Sequence, residues 1–221
     1  MVPIRSYPNI PMKAYHCLVT GSSGGGKTTW LRQMHATTKA ASVFMTAKKR
    51  ESNVAGTPVN SRRGLNTAVR RASRGSDVRC KWFGASYPQD AETVREWAHD
   101  VHEHRDWPVQ IIVDECQNDP GMDGSTSETG GAIRKGLHED RDMAIKWVVC
   151  TQDPQDLDYP PLKQCRTFVW CGPAKTWHKG FLVYYNLEEL DLPQREYQVA
   201  EIDPSLPPEV VWRGETNPTY A

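Results

Sequence analysis

Two short runs in this chain carry residue types that can handle a nucleoside triphosphate. Residues 21–29 read Gly21-Ser22-Ser23-Gly24-Gly25-Gly26-Lys27-Thr28-Thr29 and fit the phosphate-loop pattern G-x-x-x-x-G-K-[ST] at every defined position. Glycine lets consecutive backbone N–H groups converge on anionic oxygens with no side chain in the way. Lys27 would reach the β- and γ-phosphates, Thr28 would ligate Mg²⁺, and the start of a following helix would add its positive dipole end. The second run, Val109-Gln110-Ile111-Ile112-Val113-Asp114-Glu115, is apolar and closed by two acids. Asp114 could hold Mg²⁺ directly or through water, and Glu115 could polarise the water that attacks the γ-phosphate. Many nucleotide kinases bind Mg·ATP without such a base, so the pair favours an NTPase over a kinase.

Two further residues bear on the same chemistry. Gln152 follows Thr151 at the end of another apolar run, where a polar side chain can sense the γ-phosphate or orient water; capping the turn at Asp153-Pro154 is the alternative. Arg141 stands eleven residues earlier, at a helix-to-strand junction. From there an arginine could cross a subunit boundary and neutralise transition-state charge, a role worth about 10³–10⁵ in rate. A solvent-exposed helix-end arginine is the alternative.

These residues need a scaffold, and the pattern supplies one. Tyr15–Thr20, Ser42–Ala47, Val78–Phe83, Val109–Glu115, Ala144–Thr151 and Thr167–Cys171 read as strands, mostly continuous apolar runs of the kind buried on both faces. Helices are expected over Lys27–Lys39, Leu65–Ser73, Asp90–Asp106 and Ala132–Asp142. Strands alternating with helices predict an α/β, doubly wound, mainly parallel sheet with flanking helices and with ligand sites at the carboxyl ends of the strands. Residues 116–130 read as a mobile polar loop, and 177–190 as either a helix or a strand plus a turn. Tyr197–Ala200 and Val210–Trp212 read as short edge strands. The expected organisation is an extended arm at 1–14, an ATPase core at 15–172 and a short β extension at 173–221 packed on the core. His99, His102 and His104 read as solvated helix positions, with no third ligand at fixed spacing for a metal.

At 221 residues the chain suits one α/β domain rather than two, and its formal net charge is zero. The balance hides an asymmetry: from Lys48 to Lys81 ten basic residues stand against two acids, a local net of +8 that suits a polyanion or a solvated surface. Six cysteines show no C-x-x-C pair, so neither a zinc site nor a disulfide framework is expected and a reducing compartment fits best. No stretch approaches the roughly 18 apolar residues of a membrane span, so no direct membrane insertion is expected.

Taken together, the glycine-rich loop, the Ile-Ile-Val-Asp-Glu strand end and Arg-Asp-Met-Ala-Ile-Lys-Trp-Val-Val-Cys-Thr-Gln-Asp-Pro resemble the FtsK/HerA superfamily of P-loop ATPases. The chain is most similar in pattern to the compact genome-packaging ATPases of double-stranded DNA viruses, over about Tyr15–Cys171. The resemblance implies a RecA/FtsK-like core, ATP and Mg²⁺ as ligands, and an ATP-driven translocase of double-stranded DNA held by non-specific backbone contacts. It also implies a hexameric or pentameric ring, with a capsid-vertex or membrane protein as a further candidate partner. The implied place is the host-cell cytoplasm, with retention in the virion left open. By the same resemblance Lys27 and Thr28 bind phosphate and metal, Asp114 ligates Mg²⁺, Glu115 activates water, Gln152 is the sensor and Arg141 the trans-acting finger. Packaging relatives often carry Arg-His where this chain has Arg141-Asp142, so Arg134 or Lys135 is a fallback. Two other readings remain: the same core moving protein in secretion, conjugation or phage assembly, and a non-catalytic, nucleotide-regulated assembly component.

Overall fold

The computed structural model describes residues 16–51, 53–122 and 131–216. The expected arm at 1–14, most of the expected loop at 116–130 and the last five residues lie outside them. Nine strands form one sheet among the described residues: β1 (His16–Gly21), β2 (Ala41–Thr46), β3 (Thr57–Pro58), β4 (Arg79–Phe83), β5 (Val109–Asp114), β6 (Ile145–Cys150), β7 (Cys165–Cys171), β8 (Gln198–Asp203) and β9 (Glu209–Glu215). Their order is β3-β4-β2-β5-β6-β1-β7-β8-β9. Every pairing from β3 to β7 is parallel, whereas β8 and β9 are added antiparallel beyond β7. The helices are α1 (Lys27–Thr37), α2 (Arg62–Arg71), α3 (Gln89–Arg105), α4 (Ala132–Glu139), α5 (Tyr159–Leu162) and α6 (Lys179–Tyr184). The doubly wound, mainly parallel α/β sheet expected from the sequence is the fold observed.

Strands β1, β2, β5 and β6 are buried along their whole length. Their near-continuous apolar runs split by alternation into two cores, because successive side chains leave opposite faces of the sheet. Val109, Ile111, Val113, Ile145, Trp147 and Val149 join one core with α2, α3 and α4. On the other face Ile112, Val148 and Cys150 pack with Trp30 and Leu31 of α1 and with Trp212 of β9. At the solvent edge β9 alternates between exposed and half-buried, and it extends beyond the Val210–Trp212 stretch expected from the sequence.

One face is tied together by a buried carboxylate. Asp140 accepts from Trp147 Nε1 at 2.8 Å, from Arg95 Nη2 at 2.9 Å and lies 2.9 Å from His99 Nε2. These bonds connect α3, the end of α4 and β6, and they give His99 a structural partner. Gly136 lets α4 approach closely: a Cβ there would stand 2.3 Å from Trp147 Cε2. All six cysteines are buried and free. Burial pushes their thiols up, to about 12 for Cys17 and Cys171 and about 11 for Cys80, so they act as small core residues rather than nucleophiles.

Two buried histidines set an acid limit on stability. His16 Nδ1 accepts from the Trp147 N–H at 3.1 Å, and His35 lies 2.8 Å from Ser42 Oγ and 3.0 Å from the Ala55 carbonyl. Burial is the main cause that lowers both from 6.5 to about 4. Between pH 6.5 and 4 the unfolded chain therefore binds more protons than the folded one. Stability is full above the upper value and falls as pH drops through this window. Each histidine accounts for about 3 kcal/mol at the low end. The melting temperature should fall steeply from pH 7 to pH 4.5, and His35→Gln should flatten that slope; a flat wild-type profile would contradict the burial of both rings.

Candidate active site

The strand order decides what can meet. Strand β6 lies between β1 and β5, so the carboxyl ends of three adjacent strands deliver the glycine loop, Gln152 and Asp114 to one edge. Strands about 4.8 Å apart put these ends within about 10 Å of one another. They line one pocket: Ser23, Gly24, Gly26, Lys27, Thr28 and Thr29 from the loop and α1, and Asp114, Glu115, Cys150, Thr151 and Gln152 from the two other strand ends.

The loop between β1 and α1 is held by backbone geometry that only glycine meets without strain. Gly21 has φ of 126°, and a Cβ there would fall 2.1 Å from the Cys171 carbonyl oxygen at the end of β7. Gly26 has φ of 97°, and its Cβ would fall 2.4 Å from Thr216 Oγ1. The Gly25 N–H closes a turn on the Ser22 carbonyl at 3.0 Å. Lys27 Nζ donates to the Gly21 and Ser22 carbonyls, both at 2.8 Å, so its ammonium folds back over the loop and is nearly buried.

Asp114 ends β5 almost fully buried, and Glu115 follows it in the left-handed region, with φ of 63°. In a continuous strand two consecutive side chains would point to opposite faces. The left-handed step, which costs a non-glycine residue about 1–2 kcal/mol, breaks that alternation and turns both acids toward one cation. That cation is Lys48, whose Nζ lies 3.3 Å from Asp114 Oδ2 and 3.3 Å from Glu115 Oε1. Burial pushes the Asp114 carboxyl above its usual range, with Lys48 opposing that shift. For Lys48, burial acts downward, yet the two carboxylates outweigh it and the ammonium is held above its ordinary value.

Gln152 is exposed in the pocket, while the neighbouring Thr151 hydroxyl accepts from the Asp153 N–H at 3.2 Å and so supplies the turn cap. Arg141 lies elsewhere. It precedes β6 whereas Gln152 follows it, so the six residues of the strand separate them by roughly 20 Å. Its charge is felt instead by His16 at the start of β1, on the opposite edge of the sheet. Arg134 of α4 sits half-buried in an ion pair with Asp158 at 2.5 Å, and Lys135 is exposed.

Four pocket residues were not read from the sequence as site residues: Cys150 and Thr151, at the end of β6 beside Gln152, and Lys48 and Tyr197, which come from further away. Lys48 was counted in the basic segment, and only the β2–β5 pairing, Thr46 against Asp114, shows that it reaches the acids. Tyr197, read as an edge-strand residue, lines the pocket with φ of 63°, and its carbonyl accepts from the Thr216 N–H at 2.8 Å.

Comparison with solved structures fits this arrangement. The genome packaging NTPase B204 from Sulfolobus turreted icosahedral virus 2, in complex with AMPPCP, superposes with a TM-score of 0.67 at 13% identity, covering 93% of this chain and 98% of that one. The fold is that of a P-loop NTPase. The same virus protein with ATP-gammaS gives a TM-score of 0.67 at 13% identity over 95% of this chain and 99% of that one. The P-loop NTPase fold also covers 24% of the cytoplasmic domain of the Thermomonospora curvata type VII secretion ATPase EccC, with 93% of this chain matched at 11% identity and a TM-score of 0.51. No protein-family model and no curated protein sequence matches the chain.

Proposed function

We propose that the chain is a Mg²⁺-dependent ATPase that drives double-stranded DNA as a ring-forming motor, as in viral genome packaging. The observation that carries this reading is the convergence of Lys27, Thr28, Asp114, Glu115 and Gln152 in one pocket on the carboxyl edge of the sheet. The likeness to B204, a genome packaging NTPase whose structures are in complex with AMPPCP and ATP-gammaS, supports the nature of the nucleotide and of the load.

The residues fit a divalent cation: the buried Asp114 carboxylate and the Thr28 hydroxyl share the pocket, and Asp114 already holds a cation in Lys48. Mg²⁺ bound by Thr28 and Asp114 would neutralise charge on the phosphate chain. The chain's own groups do the rest. Lys27 exchanges the Gly21 and Ser22 carbonyls for phosphate oxygens, while the loop N–H groups and the start of α1 receive the others. Glu115 orients and deprotonates the water that attacks the γ-phosphorus as the bond to ADP breaks, and Gln152 positions that water. Arg141, on the far edge of the sheet, can serve only a neighbouring subunit's nucleotide; Arg134 or Lys135 on α4 is the fallback.

The DNA surface is narrower than the sequence suggests. Lys48 is drawn into the pocket, Arg62 pairs with Asp100, Arg74 with Asp77, and Arg79 and Lys81 donate to backbone carbonyls. Lys49, Arg50, Arg63, Arg70 and Arg71 are exposed with no ion pair among the described residues, and they are the phosphate contacts we assign. The fold shared with EccC keeps protein as an alternative load. No helix among the described residues is long and apolar enough to cross a membrane.

The test is ATP turnover with and without linear duplex DNA across a salt series, because phosphate-backbone binding weakens steeply with ionic strength. Stimulation by several-fold at low salt, lost on reversing Lys49, Arg50, Arg63 and Arg70 to glutamate, is expected. An unstimulated rate would remove DNA as the load. Arg141→Ala and Lys27→Ala should each be inactive alone yet recover part of the rate when mixed, because a mixed ring pairs an intact glycine loop with a neighbour's intact Arg141; no recovery in mixed rings would exclude a trans role.

A further inference from the structure

Lys48 lies at a position where a positive charge is both needed and in the way. Its backbone is fixed on both sides: its N–H donates to Thr46 Oγ1 at 3.2 Å and its carbonyl accepts from the Gly84 N–H at 2.8 Å. From that anchor the ammonium reaches Asp114 and Glu115 at equal distances of 3.3 Å. The two carboxylates have side-chain exposures of only 4% and 21%, so one ammonium offsets two poorly solvated negative charges. A third acid stands behind it. Glu51 Oε2 is 3.8 Å from the same nitrogen, and Glu51 is held in turn by Arg32 of α1.

We infer that Lys48 is a built-in counter-ion that competes with the divalent cation for the Asp114–Glu115 pair and withholds Glu115 until the metal and nucleotide load. The inference rests on the ATPase reading above. Two cations at the same pair of oxygens repel each other, and a divalent ion balances two carboxylates where an ammonium cannot. Loading therefore turns Lys48 away from the acids. Glu51, already within 3.8 Å, is the resting partner that keeps the displaced ammonium from being stranded. Glu115 is then freed for water. Lys48 acts through the two acids, as a positioning residue rather than a catalytic one. The device would keep the base engaged whenever the pocket is empty, so that only a filled pocket is competent.

Competition gives a sign that a purely structural ion pair would not. Mn²⁺ alone should bind the nucleotide-free full-length protein more tightly once the ammonium is removed. Titration followed by electron paramagnetic resonance is expected to show an affinity gain of about fivefold for Lys48→Met, which keeps the aliphatic stem, and for Lys48→Gln. Lys48→Arg should remain near wild type, and Asp114→Asn in the Lys48→Met background should abolish the gain. Thermal melting of each variant establishes that it is folded, and two neutral replacements guard against the failure of one. Equal or weaker Mn²⁺ affinity in both folded neutral variants would overturn the inference. Binding of a fluorescent ATP analogue, measured alongside, separates the two readings: its absence in wild type counts against the ATPase, whereas unchanged Mn²⁺ affinity counts against the counter-ion alone.

Discussion

Lys27→Ala should abolish ATP turnover, with a loss of roughly 10²–10³-fold or more, the scale on which a single preorganised charge-stabilising donor acts. The ammonium is nearly buried and bonded at 2.8 Å to both Gly21 O and Ser22 O, so it is preset above the loop rather than recruited from solvent. Alanine deletes the charge that meets the β- and γ-phosphates and leaves two loop carbonyls without their donor. Both effects weaken nucleotide binding. The measurement is steady-state phosphate release together with titration of a fluorescent ATP analogue. Wild-type turnover in a folded Lys27→Ala protein would remove the glycine loop from the chemistry altogether.

Glu115→Gln should separate binding from hydrolysis. Glutamine keeps the length of the side chain and accepts the same left-handed backbone, but it cannot take a proton from water. The expected drop in kcat is about 10²–10⁴-fold, the usual contribution of a positioned general base, with ATP affinity kept within a few-fold. A motor carrying this change should hold ATP and stall. Single-turnover hydrolysis and analogue binding test the pair of outcomes. Retained function with lost hydrolysis would favour a nucleotide-regulated assembly component, and retained hydrolysis would mean that another group handles the water.

The strands and helices that carry these residues were legible because their signals are local. An apolar run ending in Asp114-Glu115, and a helix repeating Val94, Trp97, Ala98 and Val101, declare themselves within a dozen residues. What could not be read was set by distant pairing or by exceptional backbone. The two-residue strand β3 exists because Thr57 lies against Cys80 of β4, and nothing in a Gly–Thr–Pro stretch announces a strand. The left-handed step at Glu115 has no local signature, since glutamate is a poor residue for it. Lys48 looked like one of ten surface cations because the register that joins Thr46 to Asp114 spans two intervening helices. Arg141 was placed correctly along the chain at a helix-to-strand junction, but its edge of the sheet follows from the direction of β6, and only that direction rules out a role in its own pocket.

The antiparallel addition of β8 and β9 has a practical consequence for handling the protein. Thr216, just after β9, is buried against the glycine loop, its N–H bonded to Tyr197 at 2.8 Å and its hydroxyl 2.4 Å from where a Gly26 Cβ would stand. Bulk added at Thr216 is therefore felt at the glycine loop, and a polyhistidine spliced in at that position would sit beside the mouth of the pocket, where it could chelate the very metal ions used to assay it. His16 begins β1 at the opposite edge of the sheet. Kinetic comparisons among variants should be made with no chelating tag next to Thr216.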